Sequence, residues 1–435
     1  MRTATLTFGD RTVELPVIEG TEGELGLDIS QLRSRIGLIT LDRGFANTGA
    51  CRSAITFTDG EQGTLRYRGI PIEQLAERPN FTETAWLLIS GRLPNHDELK
   101  RFSARLTRHA PLHEAFQHQF AGFPVDAPPM AVLSAMINTL TCFHRVVPEP
   151  DEEQFAEEAA WVLSKVRTIA AYTYRRALGQ PAVPPDPTLC YASNLLHMMF
   201  SVPYDQYIAR PEIVEALNLV LLVHADQEQG CSTTAVRMIG SSRANLFAAC
   251  AAGVDSLWGP VHGSANITVL EMLETIHRGE ATIEQVLERA KDRRSGFRLQ
   301  GFGHRVYKRL DPRALILKRG AERLLGQLGV SDPLFDIARR LEERALADPY
   351  FVEHRLYPNA DFYSGLLMGA LGIPRSMFTV LFAIGRLPGW IAHWQEQRDD
   401  PDARIARPRQ IYTGPQERSY VPIGERSSSP GVSGR

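Results

Sequence analysis

Four short segments combine glycine or proline with His, Asp or Arg in a way that bulk packing would not require. The first is Leu257-Trp258-Gly259-Pro260-Val261-His262-Gly263. Its Pro and Gly residues force a turn, and Ser264 is placed to cap the helix that follows. His262 would then sit beside a helix N-terminus, where the dipole favours a neutral imidazole. A neutral imidazole can donate one hydrogen bond to an oxygen that gains charge, such as a developing enolate. A packed, hydrogen-bonded histidine is the plainer alternative.

The second is Gly301-Phe302-Gly303-His304-Arg305-Val306-Tyr307-Lys308, followed by Asp311-Pro312-Arg313. It lacks the third Gly and the preceding strand of a dinucleotide-binding loop. Its glycines let backbone approach a ligand closely. His304 and Arg313 offer groups suited to a carbonyl and a carboxylate. Lys291, Arg293, Arg294, Arg298, Arg305, Lys308 and Arg309 surround them, either as a solvated face or as a surface for phosphates. The third segment, Tyr357 to Gly365, places Asp361 among aromatic residues at the start of a helix. In apolar company a carboxylate becomes a stronger base; an ordinary N-cap aspartate is the alternative. The fourth is a pair of arginines, Arg386 and Arg407, able to clamp carboxylates if they converge on one pocket.

The rest of the chain must position these groups. Thr3 to Phe8 and Arg11 to Pro16 alternate like strands around Gly9-Asp10, which predicts a hairpin. Ser53 to Phe57 and Gly63 to Tyr67, around Asp59-Gly60, predict a second. From about residue 72 helices dominate. Asp151 to Gly179 opens with acids, closes with Arg175 and Arg176, and ends on Gly179 as a C-cap. Ile213, Leu217, Val220 and Leu221 share one helical face. Helices are also expected at 128–143, 191–200, 245–254, 264–278, 312–325 and 333–346. The fold class is therefore mainly α with a small N-terminal β portion.

Composition narrows the class. The 435 residues carry 48 Lys and Arg against 50 Asp and Glu, a net charge of -2, which argues against a dedicated nucleic-acid binder. The first residues lack the apolar stretch of a secretory signal, and the longest apolar run, Ser376 to Gly385, is too short for a membrane span. The five cysteines are scattered singly, as in a protein with reduced thiols in the cytoplasm. The tail from Ser427 to Arg435, rich in Ser and Gly, reads as disordered.

At these residues the chain resembles a known family. Gly301 to Arg313 is similar to the citrate synthase signature. Trp258 to Gly263 resembles the family's first catalytic histidine segment, and Tyr357 to Gly365 its catalytic aspartate segment. The β portion and the stretch Ala406 to Gly414 resemble the bacterial hexameric type. The resemblance runs from about Thr3 to Gly414. It implies a large helical domain at 71–262 and 374–420 and a small one at 263–373 that closes over it. A β-rich portion would occupy 1–70, and a disordered tail 421–435.

The resemblance also implies roles. Asp361 removes a methyl proton from acetyl-CoA, His262 stabilises the enol or enolate, and His304 polarises the acceptor's carbonyl. His224, Gln227, Arg313, Arg386 and Arg407 bind the oxo-diacid, with Arg407 reaching a partner subunit's site. Arg298, Gly301 and Gly303 face CoA, whose phosphates the basic cluster suits. The partners are then oxaloacetate and acetyl-CoA, with no permanently bound cofactor, no metal, no nucleic acid and no membrane, in a homodimer at least or a hexamer.

Two departures stand out. Gln227 occupies the place of a family histidine that binds oxaloacetate, and glutamine cannot become cationic. It either keeps the hydrogen bond or marks a different acceptor or acyl donor, as in a 2-methylcitrate synthase or a phosphonomethylmalate synthase-like enzyme. Tyr204 stands where NADH-regulated relatives carry a cysteine, which argues against NADH control. A non-catalytic helical binding protein on the same fold is the reading from another class; His262, His304 and Asp361 together speak against it.

Overall fold

The computed structural model describes residues 2–144, 150–202 and 204–426. They form two compact units, one of Met1–Gly49 with Ala406–Arg435, the other of Ala50–Ile405.

In the first unit, strand Thr3–Phe8 pairs antiparallel with Arg11–Glu19, Phe8 opposite Arg11, and Leu25–Leu27 adds a third strand. Gly9 turns the hairpin at φ +62°, a conformation cheap only for glycine. Val13 and Leu15 point to one face of the second strand, as its period of two requires. They pack with Leu32 and Ile36, one turn apart on helix Leu32–Ile36, to make a small core. Residues 406–422 have no regular structure and are exposed. Of the tail, 421–426 hold only a short 3-10 turn at Ile423–Glu425; the stretch expected to be disordered, 427–435, lies outside the described residues.

The second unit opens with a hairpin, Thr56–Asp59 against Thr64–Tyr67, shifted a few residues from the expected strand. Helices follow. The longest, Glu152–Ala177, begins with a capping box between Asp151 and Gln154 and has Arg175 and Arg176 in its last turn. The helices expected at 191–200, 245–254, 264–278, 312–325 and 333–346 form at Tyr191–Phe200, Leu246–Leu257, Ala265–His277, Pro312–Leu328 and Pro333–Ala347. The one expected at 128–143 runs from Pro129 to Thr139 and tightens into a 3-10 turn at Leu140–Cys142.

Helix Phe378–Asp399 is buried on every side from Phe378 to Trp394 and forms the spine of the unit. Gly385 and Gly389 let another backbone lie against it. A Cβ at Gly385 would stand 2.9 Å from Leu221 O, and one at Gly389 would strike Ala225 O. Pro388, in the same helix, cannot donate a hydrogen bond. The Gly389 amide turns outward and donates to Ala225 O at 3.1 Å. The end of helix Pro211–Val223 and the loop after it are thereby fixed on the spine.

Candidate active site

The loop after Val223 carries the first polar group. His224 Nδ1 donates to Val220 O at 2.7 Å, so its proton sits on Nδ1 and Nε2 is an acceptor. That Nε2 is buried without a partner among the described residues. Burial, reinforced by the charges of Arg313 and Arg386, pulls its pKa down to about 3. Arg386, on the spine helix, donates from Nε to His224 O at 2.6 Å. Gln227 Nε2 donates a long bond to the Tyr307 hydroxyl at 3.4 Å, and its buried Oε1 has no partner among the described residues.

His262 follows the expected turn, its amide bonded to Gly259 O. Ser264 occupies the N-cap position, but its hydroxyl does not cap the helix, contrary to expectation. The imidazole is oriented by Ser232 instead. His262 Nε2 accepts from the Ser232 amide at 3.2 Å and lies 3.0 Å from its hydroxyl, which the Trp390 indole N–H also reaches at 3.3 Å. An amide can only donate, so Nε2 is unprotonated and the ring's hydrogen is on Nδ1. Burial, with the nearby Arg386 charge, lowers the pKa to about 4. The ring is a fixed neutral donor through Nδ1. The loop, His262 and Arg386 meet at Gly230, where a Cβ would lie 4.0 Å from the His262 ring and 3.9 Å from Arg386 Nη1.

His304 is built the same way with the other tautomer. Its Nδ1 accepts from the amides of Val306 and Tyr307 at 3.1 and 3.2 Å, which places the hydrogen on Nε2. Burial and then the Arg313 charge lower its pKa to about 4.

Asp361 lies in the first turn of helix Ala360–Ala370, but it is not the cap. Asn359 takes that role: its Oδ1 accepts from the Asp361 amide at 3.0 Å and its Nδ2 donates to Gly303 O at 2.8 Å. The Asp361 carboxylate is left for other work. Burial raises its pKa to about 6, against the opposing pull of Arg313.

The His304 and Asp361 segments are tied together. Gly303 N donates to Tyr357 O and Asn359 N to Gly301 O, at 2.8 and 2.9 Å. Phe302 and Phe362 stack edge to face. The close approach that the glycines allow is to this helix: a Cβ on Gly301 would lie 2.9 Å from Phe362 Cβ. Asp311, buried, is the hub. It caps helix Pro312–Leu328 through the Arg313 amide, pairs with Arg313 Nε and Nη2 at 3.0 and 2.8 Å, and accepts from Ala360 N at 3.1 Å.

Two arginines carry charge across the whole set. Arg386 acts on His262 and Asp361, and Arg313 on His304, His224 and Asp361. Two donor imidazoles, a base of raised pKa and two cations thus share one electrostatic neighbourhood. Such an arrangement can take a proton from a weak carbon acid while neutralising an oxyanion. Arg298 is exposed on its own loop, and Arg407 lies in the exposed stretch of the other compact unit. Sequence reasoning missed Ser232, Asp311 and Trp390. Asp311 had a readable signal, an Asp-Pro pair opening a helix; Ser232 and Trp390 had none.

The family model described as the citrate synthase C-terminal domain matches residues 44–409. Citrate synthase 1 of Mycobacterium tuberculosis is 49% identical over 425 residues, 98% of this chain and 99% of its own. Citrate synthase of Corynebacterium glutamicum is 47% identical over 427 residues, 97% of each chain. Among solved structures, citrate synthase from Pyrobaculum aerophilum superposes with a TM-score of 0.79 at 32% identity, covering 94% of this chain and 98% of that one. A ternary complex of citrate synthase from Thermoplasma acidophilum with carboxymethyl coenzyme A and oxaloacetate gives 0.80 at 28%, covering 89% and 100%. With a matching family model over most of its length and near-full-length relatives at almost half identity, the chain belongs to the citrate synthase family.

Proposed function

We propose that the chain condenses acetyl-CoA with oxaloacetate to give citrate and CoA. The observation that carries this reading is the pair of locked tautomers, His262 donating through Nδ1 and His304 through Nε2, beside a carboxylate whose pKa is raised to about 6. Asp361 takes a proton from the thioester methyl group while the His262 Nδ1–H stabilises the enol oxygen. The enol carbon attacks the ketone of oxaloacetate, and the His304 Nε2–H gives its hydrogen to the alkoxide. Water then cleaves the citryl thioester and releases CoA. Arg313 and Arg386 hold the acceptor carboxylates with His224 and Gln227, and Arg407 serves a neighbouring subunit's site. Arg298, Gly301 and Gly303 lie along the CoA path, where the basic cluster meets phosphates.

The enzyme works in the cytoplasm as a homodimer at least, with residues 263–373 closing over the rest to exclude water. No helix among the described residues is long and apolar enough to cross a membrane. The test is release of CoA thiol from acetyl-CoA that depends on oxaloacetate. A panel including 2-oxoglutarate and phosphonopyruvate, and propionyl-CoA as donor, should leave oxaloacetate with acetyl-CoA at the highest kcat/KM. Another pair winning by a wide margin would overturn the substrate assignment; no turnover of any thioester by folded protein would overturn the reaction.

A further inference from the structure

A polar cavity elsewhere in the chain belongs to none of this chemistry. It measures 290 Å³ and is lined by Ser103, Thr107, Arg167, Thr188, Cys190 and Tyr191 among others, with no acidic residue in its wall. Arg167, from the long helix Glu152–Ala177, lines it while only 2% exposed. Its guanidinium lies over the Tyr191 ring at 4.5 Å, and Nη1 donates to Tyr191 O at 3.3 Å. Nε and Nη2 have no partner among the described residues. Among the described residues no carboxylate pairs with it: Asp186, in the stretch leading to Tyr191, accepts from Thr188 and Gln206 instead. A buried cation with idle donors costs free energy that its contacts with Tyr191 offset only in part.

The same wall holds the start of helix Tyr191–Phe200, ten residues long. Its N-cap residue, Cys190, makes no side-chain capping bond; the thiol lies against the Ser193 hydroxyl at 3.2 Å. The N-cap side chain thus leaves the first amides of that helix untaken, and such amides favour an anion. We propose that this cavity binds a small phosphate monoester or free phosphate, with Arg167 as its fixed counter-charge and the opening turn of helix Tyr191–Phe200 as a second set of donors. The planar fork of arginine and a ring of amides both suit a tetrahedral oxyanion with several acceptor oxygens. The volume, at the lower end for metabolite sites, leaves room for a short organic group beyond the phosphate.

Cys190 reports on occupancy, because its thiol is exposed in the cavity wall, while Cys142 is an exposed reference elsewhere. The full chain is alkylated with iodoacetamide and both sites are followed by peptide mass spectrometry at constant ionic strength. Inorganic phosphate and glycerol 3-phosphate are added separately, with sodium chloride and sodium acetate as controls. At ten times the dissociation constant the thiol is free about one tenth of the time, so Cys190 alkylation should slow about tenfold while Cys142 is unchanged. Stronger protection by glycerol 3-phosphate identifies a metabolite ester; stronger protection by phosphate identifies the free ion. Arg167→Met should lose the protection and keep oxaloacetate-dependent thiol release. Arg167→Lys, which keeps the charge without the fork, should weaken protection in between and serves if the Met variant does not fold. No slowing in the wild type, equal slowing by acetate or chloride, or protection that persists in Arg167→Met would overturn the proposal.

Discussion

Replacing Asp361 by Asn should make the protein more stable and nearly inactive at once. The carboxylate has its pKa raised from 3.8 to about 6 by burial. An acid whose folded pKa is raised binds its proton more tightly in the folded state. It therefore contributes stability at low pH and loses it as pH climbs through the interval from about 4 to about 6. Each pH unit of that interval is worth about 1.4 kcal/mol, or about 3 kcal/mol in all; Asp361 is partly exposed, so about 2 kcal/mol is the expected cost at pH 7.5. Asparagine cannot ionise and escapes that cost. Urea unfolding of wild type and Asp361→Asn at pH 7.5 and pH 4 measures the difference directly. The variant should gain about 2 kcal/mol at pH 7.5 and almost nothing at pH 4, while thiol release falls by about a thousandfold or more. A variant that is destabilised, or whose gain is the same at both pH values, would refute the argument that burial raises this carboxylate.

The wild-type kcat/KM should rise with pH through about 6 and then level, because the base must be ionised while both histidines, held near 4, are already neutral; a limb near 7 in a pH–rate profile would assign the titration to a histidine. Ser232→Ala removes the hydroxyl between Trp390 and His262 Nε2 but keeps the amide bond, so kcat should fall about tenfold with little change in the KM for oxaloacetate in steady-state kinetics. Asp311→Asn leaves a buried Arg313 without its counter-charge and should cost about 3–5 kcal/mol of stability by chemical denaturation. Arg386→Gln should raise the KM for oxaloacetate at least about a hundredfold, measured at saturating acetyl-CoA.

The chemistry-bearing segments were legible because turns leave marks. Gly259-Pro260 and Gly301-Phe302-Gly303 could be read as bends holding a histidine, and Asp361 as a carboxylate among aromatics. The helix expected at 151–179 showed its acidic start and basic end in the residues themselves. What could not be read was which donor faces which nitrogen. His262 is oriented by Ser232, thirty positions earlier, through a backbone amide that every residue possesses. The expected capping by Ser264 failed because helix termini satisfy their amides by more than one route. Asp361 looked like a cap for the same reason, and Asn359, two residues before it, performs that task. The idle Nε and Nη2 of Arg167, without a partner among the described residues, were invisible in sequence, since an arginine in a long helix usually reaches water.

The bonds radiating from Asp311 limit how the site can rearrange. One carboxylate joins the start of two helices and the guanidinium between them, and Asn359 ties on Gly303, so Asp361, His304 and Arg313 are held as a single plate. His224, His262 and Arg386 are pinned to the spine helix and form the opposing plate. Neither plate can flex internally without breaking a buried ion pair or an imidazole's hydrogen bond.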